Sequence, residues 1–180
     1  MDQEKATAAD LINAVQAEIG SVFGRVKEES YTSFPRLFSD PDRRLFFSGQ
    51  GRSGLIAQMA AMRFMHLGFN AHFVGEATAP AIQKGDTLIV ISGSGTTPVT
   101  VHFARIANRV GAIVGTVTSD AQSELALLAD VVLCLPTDHT RQFGGSLFEQ
   151  SSLILLDGLI SHLAAGSEFS SVASRHTNFQ

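Results

Sequence analysis

Apolar side chains follow two different periods along this chain. Over residues 4 to 38 they recur at helical spacing, at Leu11, Ile12, Val15, Ile19, Val22, Phe23 and Val26. From residue 45 onward, short and nearly continuous apolar runs alternate with amphipathic stretches. This pattern predicts strands over residues 45–48, 71–74, 87–92, 112–118 and 131–135. It predicts the helices between and after them over residues 55–67, 98–110, 123–128 and 147–164.

The alternation of five such strands with helices predicts an α/β fold, a five-stranded parallel sheet with helices packed on both faces. No internal repeat and no long linker divides the chain, so we predict one domain over residues 1–180. It has a helical N-terminal extension, residues 1–40, and a polar C-terminal tail, residues 165–180. Such sheets bind ligands at the carboxyl ends of their strands. The functional loops are therefore expected after residues 48, 74, 92, 118 and 135.

The composition is that of a globular protein without a strongly charged surface. Of the 180 residues, 44% are hydrophobic and 17% are charged, and the net charge is −4. No cluster of Lys and Arg is present, so nucleic acid and anionic membrane are not expected as partners. We predict a cytoplasmic protein, because no apolar run approaches a membrane span and the N-terminus lacks a signal-peptide pattern. Cys134, the one cysteine, lies in an apolar strand, which favours an inert thiol and excludes a cysteine-based metal site.

The segment "GQGRSG" follows the first predicted strand and contains the pattern G-x-G-x-x-G at Gly49, Gly51 and Gly54. Glycines here allow a tight turn and bring backbone N–H groups close to an anion at a helix N-terminus. The same pattern begins dinucleotide-binding domains, in which an acidic residue follows about 20 residues later. Glu76 stands near that position. An NAD-binding domain is therefore one interpretation.

A second loop, after the third predicted strand, favours a smaller ligand. Its residues are Ser92, Gly93, Ser94, Gly95, Thr96 and Thr97. Thr97 and Pro98 are typical of the N-cap and first position of a helix, so hydroxyls, N–H groups and a helix dipole meet in a phosphate-binding arrangement. The same residue types also make ordinary turns and caps. The short chain and the helical residues before the first strand are further arguments against a dinucleotide-binding domain. The two glycine-containing loops together predict a small phosphorylated ligand bound between them.

Four longer segments carry a resemblance to a known family: "GQGRSGLIAQMAAMRFMHLGF", "VGEATAP", "KGDTLIVISGSGTT" and "GGSLFEQSSLILLDGLI". As a set they resemble the sugar isomerase (SIS) family from about residue 45 to the C-terminus, and within it most closely the 6-phospho-3-hexuloisomerases. The resemblance implies a homo-oligomer, commonly a tetramer, that uses no metal and no organic cofactor. It implies interconversion of 3-hexulose 6-phosphate and fructose 6-phosphate in the ribulose monophosphate pathway of formaldehyde fixation. The chain departs from the family pattern at Thr96, where an acid is expected.

The resemblance also implies that Glu149 is the catalytic base. Isomerisation through a cis-enediolate needs a group that removes a proton from C2 and delivers one to C3, and donors that stabilise the developing oxyanion. Ser146 and Glu149 also have the spacing of a capping box, in which the glutamate bonds a backbone N–H at the start of its helix. Spacing alone favours the cap, and the resemblance favours the base.

Four further residues are candidates for substrate contacts. Ser53 is expected to bind the sugar or its phosphate, with a helix N-cap as the alternative. Arg52 is expected to stabilise the enediolate or to lie on the surface. Glu76 is expected to order sugar hydroxyls or to remain a solvated loop acid. Related sugar isomerases take a histidine from a neighbouring subunit, and we assign this role to His176, with a frayed tail as the alternative.

Two alternative functions use the same loops. SIS domains also serve as non-catalytic sugar-phosphate-binding modules in regulators, although no DNA-binding segment is visible in this chain. Other SIS isomerases act on other phosphosugars, and the loops recognise a phosphate rather than the length of a sugar.

Overall fold

The computed structural model describes residues 6–165 and 172–178, and these contain a five-stranded sheet and six α-helices. The strands are β1 (Leu45–Gly49), β2 (Ala71–Phe73), β3 (Thr87–Ile91), β4 (Ile113–Thr118) and β5 (Val131–Cys134). The helices are α1 (Ala8–Arg25), α2 (Glu28–Ser33), α3 (Gly51–Leu67), α4 (Pro98–Val110), α5 (Glu124–Leu128) and α6 (Ser146–Leu163). The strands lie in the order β2-β1-β3-β4-β5, and every neighbouring pair is parallel. The predicted α/β fold with a five-stranded parallel sheet is confirmed.

The helical N-terminal region is broken rather than continuous. Thr7 caps α1 through a capping box with Asp10, in which each residue's side chain accepts a hydrogen bond from the other's backbone N–H. Val26 and Lys27 then adopt an extended backbone that separates α1 from α2. A 3₁₀ helix, Phe34–Phe38, follows α2 directly. The region predicted to be helical thus contains two α-helices and a 3₁₀ helix, and the two-residue interruption between the α-helices is not revealed by apolar spacing.

Side chains of the strands alternate between two cores, one on each face of the sheet. Phe47 and Ile89 belong to the core shared with α1, α3 and α6, whereas Phe46 and Leu88 belong to the core that includes α4. The N-terminal helix packs on α6 and contributes the fully buried Val22 to the first core. Both faces of the sheet are thus covered, which explains why the strand segments are apolar at successive positions.

The glycine-rich segment after β1 is the first turn of a helix. The helix α3 begins at Gly51, whereas the apolar pattern predicts its start at residue 55. A Cβ at Gly49 would lie 2.6 Å from the carbonyl oxygen of Ser53, so only glycine allows the end of β1 to approach this turn so closely. The N-terminus of α3 consequently lies directly at the carboxyl end of β1.

Candidate active site

The first turn of α3 presents free backbone donors at the carboxyl end of the sheet. Gln50 is the N-cap, and its side chain makes no capping hydrogen bond. Gly51 has a φ of +57° and begins the helix, and Arg52 follows it on the exposed side. The N–H groups of this turn are therefore available to an anion. Ser53 is the third helical residue and is half-buried, so the alternative that it is the N-cap is wrong.

The second loop lies beside the first, because Gly49 at the end of β1 is paired with Ile91 at the end of β3. Its centre is held by Gly95, which has a φ of +62° and whose Cβ, if it had one, would lie 2.0 Å from Ser123 Oγ. The carbonyl of Gly95 accepts a hydrogen bond of 2.9 Å from the N–H of Leu125, at the start of α5. The second loop is thus fixed against the segment that leads from β4 into α5, and a side chain at Gly95 would push the loop away from that segment.

The hydroxyls of this loop are grouped around the start of α4. Thr97 is the N-cap of α4 and Pro98 its first residue, as predicted, but the Thr97 side chain makes no capping bond. Instead the hydroxyl of Thr97 lies 3.4 Å from that of the buried Ser92. Ser94 and Thr96 are exposed, and the Ser94 hydroxyl accepts a hydrogen bond of 3.3 Å from the N–H of Thr96. Hydroxyl and N–H donors thus surround a second helix N-terminus, next to that of α3.

The first turn of α6 joins both loops. Glu149 lies on this turn, and its Oε2 is 2.6 Å from Arg52 Nε. The contact is an ion pair rather than a directed hydrogen bond, because no donor among the described residues meets hydrogen-bond geometry at Oε2. Arg52 Nη1 also lies 3.4 Å from Ser146 Oγ and donates to it. On the other side, the Phe148 ring packs closely against Gly93 of the second loop.

The capping box predicted from Ser146 and Glu149 is absent. The N-cap of α6 is Gly145, which has no side-chain oxygen, and Ser146 is already the first helical residue. The Ser146 hydroxyl donates a hydrogen bond of 2.7 Å to the carbonyl of Phe143. The Glu149 carboxylate is directed at Arg52, and only 16% of this side chain is exposed. The interpretation of Glu149 as a structural cap is therefore wrong.

The Arg52–Glu149 pair lines a cavity of about 200 Å³ between α3 and α6. Leu55 and Leu153 give this cavity an apolar wall. Gln150 also lines it, and the Gln150 Oε1 atom is buried without a hydrogen-bond partner among the described residues. Sequence reasoning missed Gln150, although its position directly after Glu149 in the segment "GSLFEQ" marks it as a neighbour of the candidate base.

The structure does not bring Glu76 into this cavity. Glu76 follows β2 and is exposed, and it lines a separate cavity of about 380 Å³. That cavity is mainly apolar and is lined by Phe46 and Phe103. Phe46 belongs to the core on the α4 face of the sheet, and Phe103 packs against that core. Glu76 and Glu149 therefore lie in different depressions of the same chain.

His176 lies at the other end of α3. Its exposed ring stacks on that of His66, with the ring centroids 5.0 Å apart. Since His66 and Arg52 are fourteen residues apart on one helix, this stack is about 20 Å from the Arg52–Glu149 pair along the helix axis. His176 therefore does not reach Glu149 of its own chain. Phe179 and Gln180, which end the tail segment "RHTNFQ", lie outside the described residues.

The described residues contain neither a metal-binding cluster nor a membrane-spanning helix. No group of three or more His, Cys, Asp or Glu side chains there is arranged to hold a metal ion. None of the helices in this part of the chain combines the length and apolar character that a membrane span needs. Cys134 is half-buried, and burial raises the pKa of its thiol, which keeps it protonated and poorly reactive at neutral pH.

Comparison with known proteins identifies the family. Residues 37–156 match the SIS domain family. A 3-hexulose-6-phosphate isomerase of Mycobacterium gastri is 38% identical over 94% of this chain and 89% of that protein. One from Bacillus subtilis is 37% identical over 76% of this chain and 80% of that protein.

A solved structure agrees with these sequence matches. It is a Methanococcus jannaschii protein whose structure was taken to indicate 3-hexulose-6-phosphate isomerase function. It superposes with a TM-score of 0.85 at 30% identity, covering 95% of this chain and 99% of that one. The resemblance drawn from the sequence and the prediction of an isomerase are confirmed. The chain belongs to the SIS domain family, in the group that contains the 3-hexulose-6-phosphate isomerases.

Proposed function

We propose that the chain interconverts 3-hexulose 6-phosphate and fructose 6-phosphate through a cis-enediolate. The observation that carries this proposal is the Arg52–Glu149 pair, which combines a carboxylate and a cation beside two adjacent helix N-termini. The relatives of the same group bear the name of this activity. The ribulose monophosphate pathway of formaldehyde fixation is the corresponding metabolic context.

The phosphate is proposed to bind between the first turns of α3 and α4. Each turn supplies backbone N–H groups, and the helix dipoles favour a dianion there. The hydroxyls of Ser53, Ser92, Ser94, Thr96 and Thr97 add neutral donors around the same point. Gly51, where a Cβ would meet nothing within 4 Å, leaves room for the phosphate to approach the backbone, whereas Gly93 and Gly95 allow the second loop to lie against Phe148 and Ser123. The hydroxyl of Thr96, where an acid is usual in the family, adds a donor instead of a charge that would repel phosphate.

Glu149 is proposed to carry both carbon-bound proton transfers. Starting from the 3-hexulose, the carboxylate takes the proton from C2, the bonding electrons form the C2–C3 double bond, and negative charge develops on O3. The same carboxyl group returns the proton to C3 while O2 loses its proton and becomes the carbonyl oxygen. Arg52, held beside Glu149, supplies a cation close to the oxygens on which charge develops.

The net reaction also moves a proton from O2 to O3, and we assign this transfer to His176 of a neighbouring subunit. The distance between His176 and Glu149 along α3 requires two chains to build such a site. A homo-oligomer, with a tetramer as the expected state, would also cover the exposed apolar residues of α1 and α3. These are Leu11, Ile12, Leu55, Met59 and Met62.

The remaining assignments are part of the same proposal. Residues 1–180 act as one domain, in which residues 1–40 are the helical extension and residues 165–180 the tail. Glu76, in its separate cavity, is not assigned to the reacting carbons. Neither a metal nor an organic cofactor has a role in the proposed steps, and the cytoplasmic location stays a prediction.

Proton exchange in heavy water tests the proposed function. Fructose 6-phosphate incubated with the protein is expected to yield the 3-hexulose, and the recovered fructose 6-phosphate to carry deuterium at C3. If neither the 3-hexulose nor deuterium at C3 appears, even at high protein concentration, the proposal is contradicted. Binding without conversion would favour a non-catalytic sugar-phosphate module. Faster conversion of a pentulose 5-phosphate or a heptulose 7-phosphate would favour an SIS isomerase of different specificity.

A further inference from the structure

A single carboxylate on α1 holds the loop that leads to α6. Glu18 accepts hydrogen bonds from the hydroxyl of Thr140 at 2.7 Å, from the backbone N–H of Arg141 at 3.0 Å and from the side-chain amide of Gln142 at 3.1 Å. The pKa of Glu18 is lowered, first by the Arg141 N–H and then by the two side-chain donors. The three donors are consecutive along the chain, so one ionised side chain fixes both the backbone and the side chains of this loop.

A second residue of α1 holds the start of the same loop. Arg25 lies two helical turns after Glu18, and its Nη1 donates a hydrogen bond of 2.8 Å to Asp138 Oδ1. Its other terminal nitrogen donates to the carbonyl of Pro136. Among the residues that the structure describes, every hydrogen bond from residues 138–142 to another element ends on Glu18 or Arg25. The segment 138–143, called the β5–α6 loop below, therefore depends on α1 for its position.

The β5–α6 loop is connected to the Arg52–Glu149 pair through hydrogen bonds. The carbonyl of its last residue, Phe143, accepts a hydrogen bond from the Ser146 hydroxyl. The Ser146 hydroxyl oxygen in turn accepts a hydrogen bond from Arg52 Nη1. Arg52 in turn contacts Glu149 through its Nε. The carbonyl of Phe143 thus sets where the Ser146 hydroxyl points, and that hydroxyl is one of the two groups that hold the guanidinium.

The helix itself does not need this loop for its own position. Leu147 and Phe148, in the first turn of α6, are buried at 1% and 4% exposure and anchor the helix in the core. Gly144, with a φ of +58°, and Gly145 separate the helix from the loop. Phe143 is 94% exposed and provides no anchor. Release of the loop would therefore disturb Ser146 and Arg52 while α6 remains packed.

We propose that Glu18 is a positioning residue of the isomerase site. It holds the β5–α6 loop on α1, and through Phe143 and Ser146 it keeps Arg52 directed at the oxygens of the enediolate. This inference rests on the proposed function, because it assigns Arg52 a role in the transition state. Helix α1 would then support the reaction through Glu18, in addition to contributing side chains to the hydrophobic core.

The test compares Glu18→Ala with Gln16→Ala, a control at an exposed position on the same helix. Glu18→Ala is expected to lower kcat about tenfold and to change KM less than about threefold, because misplaced catalytic groups affect the transition state more than ground-state binding. Trypsin is expected to cleave faster after Arg141 in Glu18→Ala, since the Arg141 backbone is no longer held. Gln16→Ala should match the parent in both measurements.

Two further variants separate positioning from general damage. Gln142→Ala removes one of the three bonds and is expected to lower kcat less than Glu18→Ala does. The double variant is expected to equal Glu18→Ala rather than the product of the two effects, because both substitutions remove the same bond. If Glu18→Ala does not fold, Gln142→Ala and Thr140→Val replace it in the comparison with Gln16→Ala, because each removes one hydrogen bond to Glu18 by changing a loop residue.

The outcomes distinguish the two proposals. Parent protein that neither converts nor exchanges fructose 6-phosphate overturns the proposed function, and with it the role of Glu18. Active parent protein with an unchanged kcat in Glu18→Ala overturns only the positioning role, whether or not trypsin cleavage accelerates. Equal loss of kcat and of thermal stability in Glu18→Ala and Gln16→Ala also overturns it.

Discussion

Arg52 Nε and Glu149 Oε2 lie 2.6 Å apart, on the first turns of two different helices. This contact joins the glycine turn after β1 to the start of α6, and it places a cation and a carboxylate at one edge of the sheet. The pair is only partly shielded, since 59% of the arginine side chain remains exposed. Solvent around the guanidinium screens the pair and limits its contribution to stability. We therefore expect the pair to serve catalysis rather than stability, and substitution of either residue tests this expectation.

Glu149→Gln keeps the shape of the side chain but cannot accept a proton from carbon. We expect kcat to fall by about 10²- to 10⁴-fold, with little change in the affinity for fructose 6-phosphate. Deuterium incorporation at C3 measures the loss directly. The control is Asp157→Asn, an exposed acid on the same helix, which should retain full activity. A Glu149→Gln protein as active as the control would remove Glu149 from the mechanism.

Arg52→Met removes the cation that faces the developing enediolate. We expect about a 10²-fold loss in kcat, the usual cost of losing one donor to a transition-state oxyanion. Arg52→Lys retains the charge but not the fork that contacts both Ser146 and Glu149, so its kcat should fall between those of Arg52→Met and the parent. Steady-state kinetics with fructose 6-phosphate distinguish the three. Equal activity in Lys, Met and parent proteins would leave Arg52 a surface residue.

The close approach of Gly49 to the first turn of α3 predicts a different kind of defect. Gly49→Ala places a Cβ 2.6 Å from the Ser53 carbonyl, which is backbone and cannot move aside alone. We expect a loss of about 1–3 kcal/mol in the free energy of unfolding and weaker binding of phosphate, because the N–H groups of this turn shift. Urea unfolding and calorimetric titration with fructose 6-phosphate measure the two effects.

Gly20→Ala is the matched control for Gly49→Ala. Gly20 lies in α1, and a Cβ there would meet nothing within 4 Å. Alanine at this position is expected to stabilise the protein by about 0.5–1 kcal/mol through its helix propensity. If both substitutions have the same effect on unfolding, steric contact at Gly49 is not the cause.

Most of the fold follows from local patterns in the sequence, and the exceptions have physical reasons. The strands are recognisable because both faces are buried, and α4 has the predicted bounds because Pro98 and Gly111 mark its ends. The start of α3 is not predictable from apolar spacing, since its first turn consists of glycines and polar residues whose helical backbone depends on the contact with β1.

The candidate site is less readable from the sequence. Ser146 and Glu149 have the spacing of a cap, and only the position of Arg52 on another helix decides where the carboxylate points. Glu76 stands at the spacing of a ribose-binding acid, yet it faces a separate cavity. Contacts such as those of Glu18 with residues 140–142 have no local signature, because the partners are more than a hundred residues apart in the chain.

Subunit mixing tests whether His176 serves a neighbouring chain. Glu149→Gln and His176→Ala proteins are each expected to have low activity. After mild dissociation and joint reassembly, about a quarter of the sites should contain an intact Glu149 and an intact His176 from different chains, and activity should reappear accordingly. The measurement is the isomerisation rate before and after reassembly. Reassembled hybrids without recovered activity would contradict a shared site.

The stack of His176 on His66 predicts that acid weakens the fold. Burial lowers the pKa of His66, and the nearby His176 and Arg63 lower it further, while Arg175 donates a hydrogen bond to the His66 carbonyl. The folded chain therefore resists a proton that the unfolded chain accepts at the ordinary pKa of about 6.5. The contribution of neutral His66 to stability is complete above that pH and is lost as the pH falls through the lowered pKa of the folded state.

Urea unfolding at about pH 8 and about pH 5.5 measures this loss, and it should be smaller in His66→Phe, which keeps an aromatic ring without a titrating group. His102→Phe, the same exchange at an exposed position of α4, is the control for the effect of introducing a phenylalanine. Because His176 packs on His66, the same acidification is expected to release residues 172–178 from α3, which faster proteolysis after Arg175 would report. A pH dependence that is identical in His66→Phe and the parent would mean that another group causes the acid sensitivity.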